Sequence, residues 1–264
     1  MQRPKWEGSD VLGLCATRIQ TDPSLPQSVK RTVRALLQCR TAALGGHALL
    51  CNRCGHTELS YNSCRNRHCP KCQFSKRAQW ALDRERDVLP LKYHHVVFTI
   101  PAELNVVARA HPRIVYQHLF GSAWKTIKTL AADARWIGGQ AGMISILHTW
   151  GQNLSLHPHV HCLIPNGAWD VDLRRWVYPR KRRFLFPVRV MSKLFRGIIL
   201  DRLDQAHQRG CLVWDPKSWQ VLKDQLYARN FNVYSKISFG GADQIIRYMA
   251  RYTHRVAITN RRIV

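Results

Sequence analysis

Apolar residues recur along this chain with two periods, and each period predicts its own kind of element. Ser24–Ala43 places Val29, Val33, Leu36 and Leu37 at helical spacing between basic residues, and Gly45-Gly46 ends the stretch. Gln73–Val88 reads as a second helix, stopped by Pro90. His94–Ile100 (HHVVFTI) is an apolar run of strand length closed by Pro101, and its two histidines read as a strand end. Leu104–Trp136 is long and largely helical, broken around His111-Pro112 and Gly121, with Trp124 and Trp136 expected in the core. Met143–Trp150 (MISILHTW) and the following HPHVHCLI segment read as two strands of one hairpin joined by a loop, and Asn166-Gly167 is a turn signal. Trp169–Val188 predicts further strands with a very basic connection, Met191–Arg209 an amphipathic helix, and Phe231–Phe239 an alternating strand. After Gly240-Gly241, Ala242–Thr253 (ADQIIRYMARYT) has helical character.

Candidate chemistry falls on three of these stretches. In the His157-Pro158-His159-Val160-His161 run, strand alternation puts His159 and His161 on one face and Val160 on the other. Two imidazoles so placed can hold one divalent ion. Gln152 sits at the mouth of the hairpin, where its carboxamide oxygen can complete the site; His157 is a rival for that role. On the predicted helix, Tyr248 and Tyr252 are one turn apart on one face, with Gln244 one turn earlier and Arg247, Arg251 and Arg255 flanking. In CNRCGHTELSYNSCRNRHCPKC, the pairs Cys51-x2-Cys54 and Cys69-x2-Cys72 are fourteen residues apart, the pattern of a structural zinc site. Cys64 and His68 lie between the knuckles and can replace a ligand or bind a second ion. Cys15 and Cys39 have no motif partner and read as core thiols.

Charge narrows the partner. The 264 residues carry 41 Lys and Arg against 16 Asp and Glu, a net +25, which calls for a polyanion. Nine Trp, eight Tyr and eight Phe among these cations suit single-stranded nucleic acid, where bases stack and phosphates pair. Arg53, Arg65, Arg67 and Lys71 around the cysteine knuckles are expected to touch phosphate. No apolar run is long enough to span a membrane and MQRPKWEGSD lacks a signal-peptide core, so a cytoplasmic, nucleoid-associated protein without membrane contact is expected. In that reducing compartment cysteine reads as metal ligand or free thiol. No GxxxxGK[ST] occurs, so no fused ATPase is expected.

A metal on the histidines can bind scissile phosphate oxygens, and a tyrosine hydroxyl can attack the phosphorus to leave a 5′-phosphotyrosine and a free 3′-hydroxyl. Two tyrosines on one helix allow two sequential transfers.

The motifs SCRNRHCPKC (Ser63–Cys72), HHVVFTIP (His94–Pro101), HTWGQNLSLHPHVHCLIPNG (His148–Gly167) and YMARYTHRVAITNRR (Tyr248–Arg262), in this order, make the chain similar to the two-tyrosine, rolling-circle insertion-sequence transposases of the HUH endonuclease superfamily. The resemblance implies an α+β fold: a small helical, zinc-binding module followed by a central antiparallel sheet with flanking helices. The expected division is 1–90 for the zinc-binding, DNA-contacting module and 91–264 for the catalytic domain. Carried over by position, His159 and His161 become the metal pair and Tyr248 and Tyr252 the nucleophiles. The third ligand in that superfamily is a Gln, Glu or His; Gln152 is expected here, with His157 and Gln244 as alternatives. The resemblance further implies Mg2+ or Mn2+ at the histidines, Zn2+ at the cysteines, and single-stranded element ends and target DNA as partners. Members extend further beyond the tyrosine motif, so a chain ending at Val264 is expected to be a short form. Competing readings are a replication initiator with the same chemistry, a copy that binds DNA without cutting, and an RNA-binding protein.

Overall fold

The computed structural model describes residues 5–151, 153–180, 184–237, 242–250, 253 and 260. Gln152, Arg251, Tyr252 and Arg255, all singled out above, lie outside the described residues. The chain divides into two compact units, residues 1–83 with 253–264, and residues 84–252.

In the first unit, α1 (Gly8–Leu14), α2 (Ala16–Thr21) and α3 (Gln27–Gln38) precede an antiparallel ribbon of β1 (Gly46–Leu50) and β2 (Thr57–Tyr61). A reciprocal Glu7–Asp10 capping box opens α1. All ten ribbon residues are exposed, including Leu49, Leu50, Leu59 and Tyr61. The ribbon was not foreseen, because five-residue strands carrying Glu and Ser next to Leu give no clean alternation. Helix α4 (Pro70–Glu85) then starts on Pro70, whose missing N–H costs nothing in a first turn. Among the described residues of this unit, the buried apolar side chains are Val33, Cys39, Cys69, Cys72 and Ala81. Three of these five are cysteines, so their chemistry dominates what holds the unit together.

The second unit is α+β. A four-stranded antiparallel sheet, in the order β4-β5-β3-β8, is formed by β3 (Tyr93–Thr99), β4 (Ile144–Trp150), β5 (Leu156–Pro165) and β8 (Val233–Ile237). Alternation sorts its side chains cleanly. One face presents Val96, Phe98, Val160, Cys162, Ile164 and Val233 to the main core, shared with α6 (Pro112–Ala132) and α7 (Val188–Gln208) through residues such as Leu119, Ile127, Phe195 and Leu203. Each such fully buried side chain contributes roughly 1.5–3 kcal/mol relative to exposure. The opposite face carries the polar residues. Cross-strand pairing puts Val97 opposite His161, Thr99 opposite His159, His148 opposite His159, and His95 opposite both Leu163 and Lys236. The core face therefore anchors the sheet and frees the other face for chemistry.

The connections follow local signals. The short α5 (Asn105–Ala110) ends at His111, and α6 begins on Pro112, the expected break. The break expected at Gly121 does not occur: α6 runs through it, and the bare Cα of Gly121 lets the Arg202 guanidinium of α7 lie against it. Trp124 is exposed rather than core, because the buried stripe of α6 runs through Val115, Leu119, Ala123 and Ile127 and leaves it to one side. Trp136 packs partly buried against the core as expected. At the Asn166-Gly167 turn, Gly167 has φ +140, and a Cβ there would collide with Trp176 and the Val177 carbonyl. This turn leads into the two-stranded β6 (Ala168–Asp170) and β7 (Arg175–Val177). Helix α8 (Pro216–Tyr227), not foreseen, is capped by Asp215, whose carboxylate accepts from the Ser218 N–H. Helix α9 (Ala242–Met249) closes the described part of the unit. No helix among the described residues is long and apolar enough to cross a membrane.

Candidate functional site

Three histidines converge on the polar face of the sheet. His148 of β4 and His159 and His161 of β5 are all buried and offer ligand nitrogens that lie within 4.8 Å of one another. His148 Nδ1 lies 3.2 Å from His159 Nε2. Two nitrogens each about 2.1 Å from one ion and 3.2 Å apart subtend an angle of about 100° at it, a normal coordination angle. His159 Nδ1 lies 2.6 Å from the His157 carbonyl, which fixes Nδ1 as the proton-bearing nitrogen and turns the Nε2 lone pair toward His148. The residues present therefore fit a divalent ion, and the third histidine is His148, which the sequence reading did not single out. Gln152, the expected third ligand, lies outside the described residues. His157 is exposed and contributes its carbonyl to His159. Gln244, the other alternative, lies on α9 and is exposed.

His95 of β3 adjoins this group. Its Nε2 lies 2.9 Å from His161 Nδ1, and the two rings are nearly parallel, with centroids 5.1 Å apart and an interplanar angle of 10°. Burial holds the His95 imidazole below its ordinary pKa, favouring the neutral ring. The expected nucleophile Tyr248, on α9, meets the His95 ring edge to face, centroids 5.6 Å apart, while Ile246 and Met249 of the same helix are buried. Tyr248 itself is 40% exposed, so its ring touches the histidine group and remains open to a substrate. Tyr252 lies outside the described residues. Lys236, opposite His95 on β8, adds a cation to the same face and was likewise not singled out from sequence.

The cysteines assemble differently from the expected pairing of two CxxC knuckles. The thiols that converge are Cys39, Cys64, Cys69 and Cys72. Their Sγ–Sγ distances include 3.5 Å for Cys39–Cys69, 3.6 Å for Cys39–Cys72 and 3.7 Å for Cys64–Cys72. Four sulfurs each ~2.3 Å from a tetrahedral zinc are about 3.8 Å apart, so the thiols already stand at the edges of such a tetrahedron. The backbone N–H groups of Cys64 and Asn66 point at the sulfurs of Cys39 and Cys64. Burial pushes the Cys69 thiol up to about 11 and the Cys64 thiol higher still. Burial would also raise Cys72, but the neighbouring thiols of Cys39, Cys64 and Cys69 outweigh it and hold that sulfur low. Cys39 enters because α3 ends one residue before it and delivers its side chain inward. Cys51 and Cys54 stand exposed in the β1–β2 turn, where the Arg53 and Cys54 N–H groups lower the Cys51 pKa. His68 is exposed, and its N–H donates to the Asn66 side chain.

Of the basic residues expected at DNA, Arg65 and Arg67 are exposed, Lys71 is ion-paired with Glu7, and Arg247 is exposed with its Nε 3.5 Å from Glu85. Arg251 and Arg255 lie outside the described residues.

The chain is similar in sequence to known transposases. Residues 13–100 match a family described as "Transposase zinc-binding domain", and residues 142–264 one described as "Putative transposase". The chain is 42% identical over 249 residues to "Putative transposase y4qJ" of Sinorhizobium fredii (strain NBRC 101917 / NGR234), covering 91% of this chain and 62% of that protein. It is 29% identical over 163 residues to the "Transposase for insertion sequence element IS801" of Pseudomonas savastanoi pv. phaseolicola, covering 59% of this chain and 38% of that one. The chain thus spans less than two thirds of the length of either relative. Among solved structures, a metal-bound conjugative relaxase TrwC in complex with oriT DNA aligns at TM-score 0.34 and 12% identity over 96% of this chain and 87% of that one. With a segment similar to transposase zinc-binding domains ahead of a segment similar to transposases, the chain resembles insertion-sequence transposases, α+β in its larger unit and with its cysteine cluster in the N-terminal segment.

Proposed function

We propose that this chain nicks single-stranded DNA and transfers the cut strand through a 5′-phosphotyrosine, the chemistry of rolling-circle transposition. One observation carries the reading: His148, His159 and His161 gather on the sheet face that Tyr248 also reaches, by way of His95. His148, His159 and His161 would hold the metal. When bound, such an ion supplies positive charge for the phosphate oxygens as the phosphorus becomes five-coordinate. Three imidazoles are a poor set for Mg2+, which takes oxygen donors, so of the two ions expected Mn2+ fits better.

The rest belongs to the chain's own groups. Tyr248 Oη attacks the phosphorus in line; the Oη–P bond forms as the P–O3′ bond breaks. The tyrosyl proton is lost to solvent and the departing 3′ oxygen gains one. One phosphoester replaces another, so rejoining needs no nucleotide triphosphate. Attack by a second 3′-hydroxyl reverses the step at a new junction. Tyr252, four residues on, is proposed for the second transfer. Arg65, Arg67, Lys71, Arg247, Arg251 and Arg255 are proposed to follow the DNA backbone, with residues 1–90 as the DNA-contacting, zinc-holding part and 91–264 as the catalytic part. Zinc at Cys39, Cys64, Cys69 and Cys72 is proposed as structural, with Cys51 and Cys54 forming a separate exposed dithiol.

The test uses single-stranded DNA carrying element ends, labelled at its 3′ end, incubated with protein and Mn2+ and run on a denaturing gel. Label at protein mass, lost with EDTA and in Tyr248→Phe/Tyr252→Phe, is expected. Cleaved DNA with no labelled protein would overturn the covalent mechanism.

A further inference from the structure

We propose that His95 is a positioning residue for both halves of this site, orienting His161 toward the metal and setting the ring of the nucleophile Tyr248. The inference rests on the metal-site reading above and gives a role to His95, which that reading uses only as the contact between Tyr248 and the histidine face. When His161 binds an ion through Nε2, its Nδ1 carries the ring proton and needs an acceptor. His95 Nε2 is 2.9 Å away and supplies one, leaving His95 Nδ1 as its own proton-bearing nitrogen. A second group that holds a ligating imidazole in one tautomer and one rotation typically changes metal affinity 10–100-fold when removed. The two rings are nearly coplanar, interplanar 10°, the arrangement that an in-plane Nδ1–H···Nε2 bond requires.

The His95 ring also touches the nucleophile. Its ring meets Tyr248 at 77°, centroids 5.6 Å apart, and Tyr234 at 71°, centroids 6.3 Å apart. These edge-to-face contacts restrict where the half-exposed Tyr248 ring stands. His95 sits on β3, beside β5, which bears His159 and His161, and its place there is fixed by backbone pairing with Leu163 on one side and Lys236 on the other. Neither partner of His95 can shift without the other feeling it.

Two substitutions separate the two contacts. His95→Gln keeps an acceptor for His161 Nδ1–H and loses the aromatic edge; His95→Phe keeps the edge and loses the acceptor. Mn2+ binding to the full chain is measured by titration calorimetry. Adduct formation on 3′-labelled single-stranded DNA is measured at saturating Mn2+, and near-UV circular dichroism reports the fold. We expect His95→Phe to bind Mn2+ about 10–100-fold more weakly. We expect His95→Gln to bind within about threefold of the unaltered chain and to form adduct roughly tenfold more slowly, the order of cost of a displaced reacting group. Wild-type Mn2+ affinity in His95→Phe overturns the inference. So does equal loss in both variants together with loss of the near-UV signal, the signature of a packing residue. If the unaltered chain binds Mn2+ no better than His159→Ala/His161→Ala, the metal-site reading itself fails, which is a different result from failure of His95.

Discussion

His148 illustrates why a residue can be decisive and yet hard to find in the chain. It pairs directly with His159 across the β4–β5 hairpin, eleven positions away, and the register slips between His148 and Trp150 before the strands part. Counting back from the loop does not reveal which β4 side chain faces His159; an irregularity of one residue moves every side chain to the other face. Strand alternation alone puts His159 and His161 on one face, where the structure gathers them with His148; the helical spacing that singles out Tyr248 involves Tyr252, which lies outside the described residues. His148→Ala is predicted to weaken Mn2+ binding by at least 10-fold, whereas Gln152→Ala stays within about threefold, both read by titration calorimetry. His94, one residue from His95, points to the other face, buried with its Nε2 3.0 Å from Asn166 Oδ1. Burial lowers its pKa, and the Asn166 contact only partly offsets this. The unfolded chain takes up a proton near pH 6.5 that the folded chain refuses, so stability falls as pH is lowered through that value. Unfolding free energies from urea melts at pH 7.5 and 5.5 should differ less in His94→Gln, by up to about 1.4 kcal/mol per pH unit for one proton.

At the scale of elements, the order and type of most helices and strands were readable, since both periods were strong in the buried parts. Helix α8 and the β1–β2 ribbon were not. The ribbon buries nothing, so no pattern selects for it; it also separates Cys39 from Cys64, Cys69 and Cys72 in sequence but not in space. Four convergent sulfurs predict that Cys39→Ser loses one zinc per chain by atomic absorption, as does Cys69→Ser. Cys51→Ser is expected to keep that zinc. The Gly167 turn makes a second prediction at this scale. Gly167→Ala forces a Cβ into Trp176 and the Val177 carbonyl at a φ of +140, and should cost about 1–3 kcal/mol, seen as a lower urea midpoint at unchanged slope.

Across the whole molecule the two units differ in what stabilises them. The larger unit has a continuous apolar core from Val96 through Phe195 to Trp219, whereas the described part of residues 1–83 buries little beyond its thiols. A bound zinc then contributes folding free energy directly. Chelation is expected to abolish a separate calorimetric transition of the first unit and leave that of the second. Net charge of +25 acts on the whole surface: single-stranded DNA affinity should fall steeply as salt rises from 50 to 200 mM, by about 300-fold if six phosphates are engaged.

The central claim, a tyrosine on α9 joined covalently to the cut strand, is open to one direct measurement. Arg247, Arg251 and Arg255 bracket the two tyrosines, so trypsin separates Tyr248-Met-Ala-Arg251 from Tyr252-Thr-His-Arg255. After reaction with single-stranded element ends in Mn2+ and nuclease trimming, tandem mass spectrometry should find a nucleotide 5′-phosphate on the peptide bearing Tyr248, whose ring stands against His95. DNA cut to a free 5′-phosphate with both peptides unmodified would contradict the account.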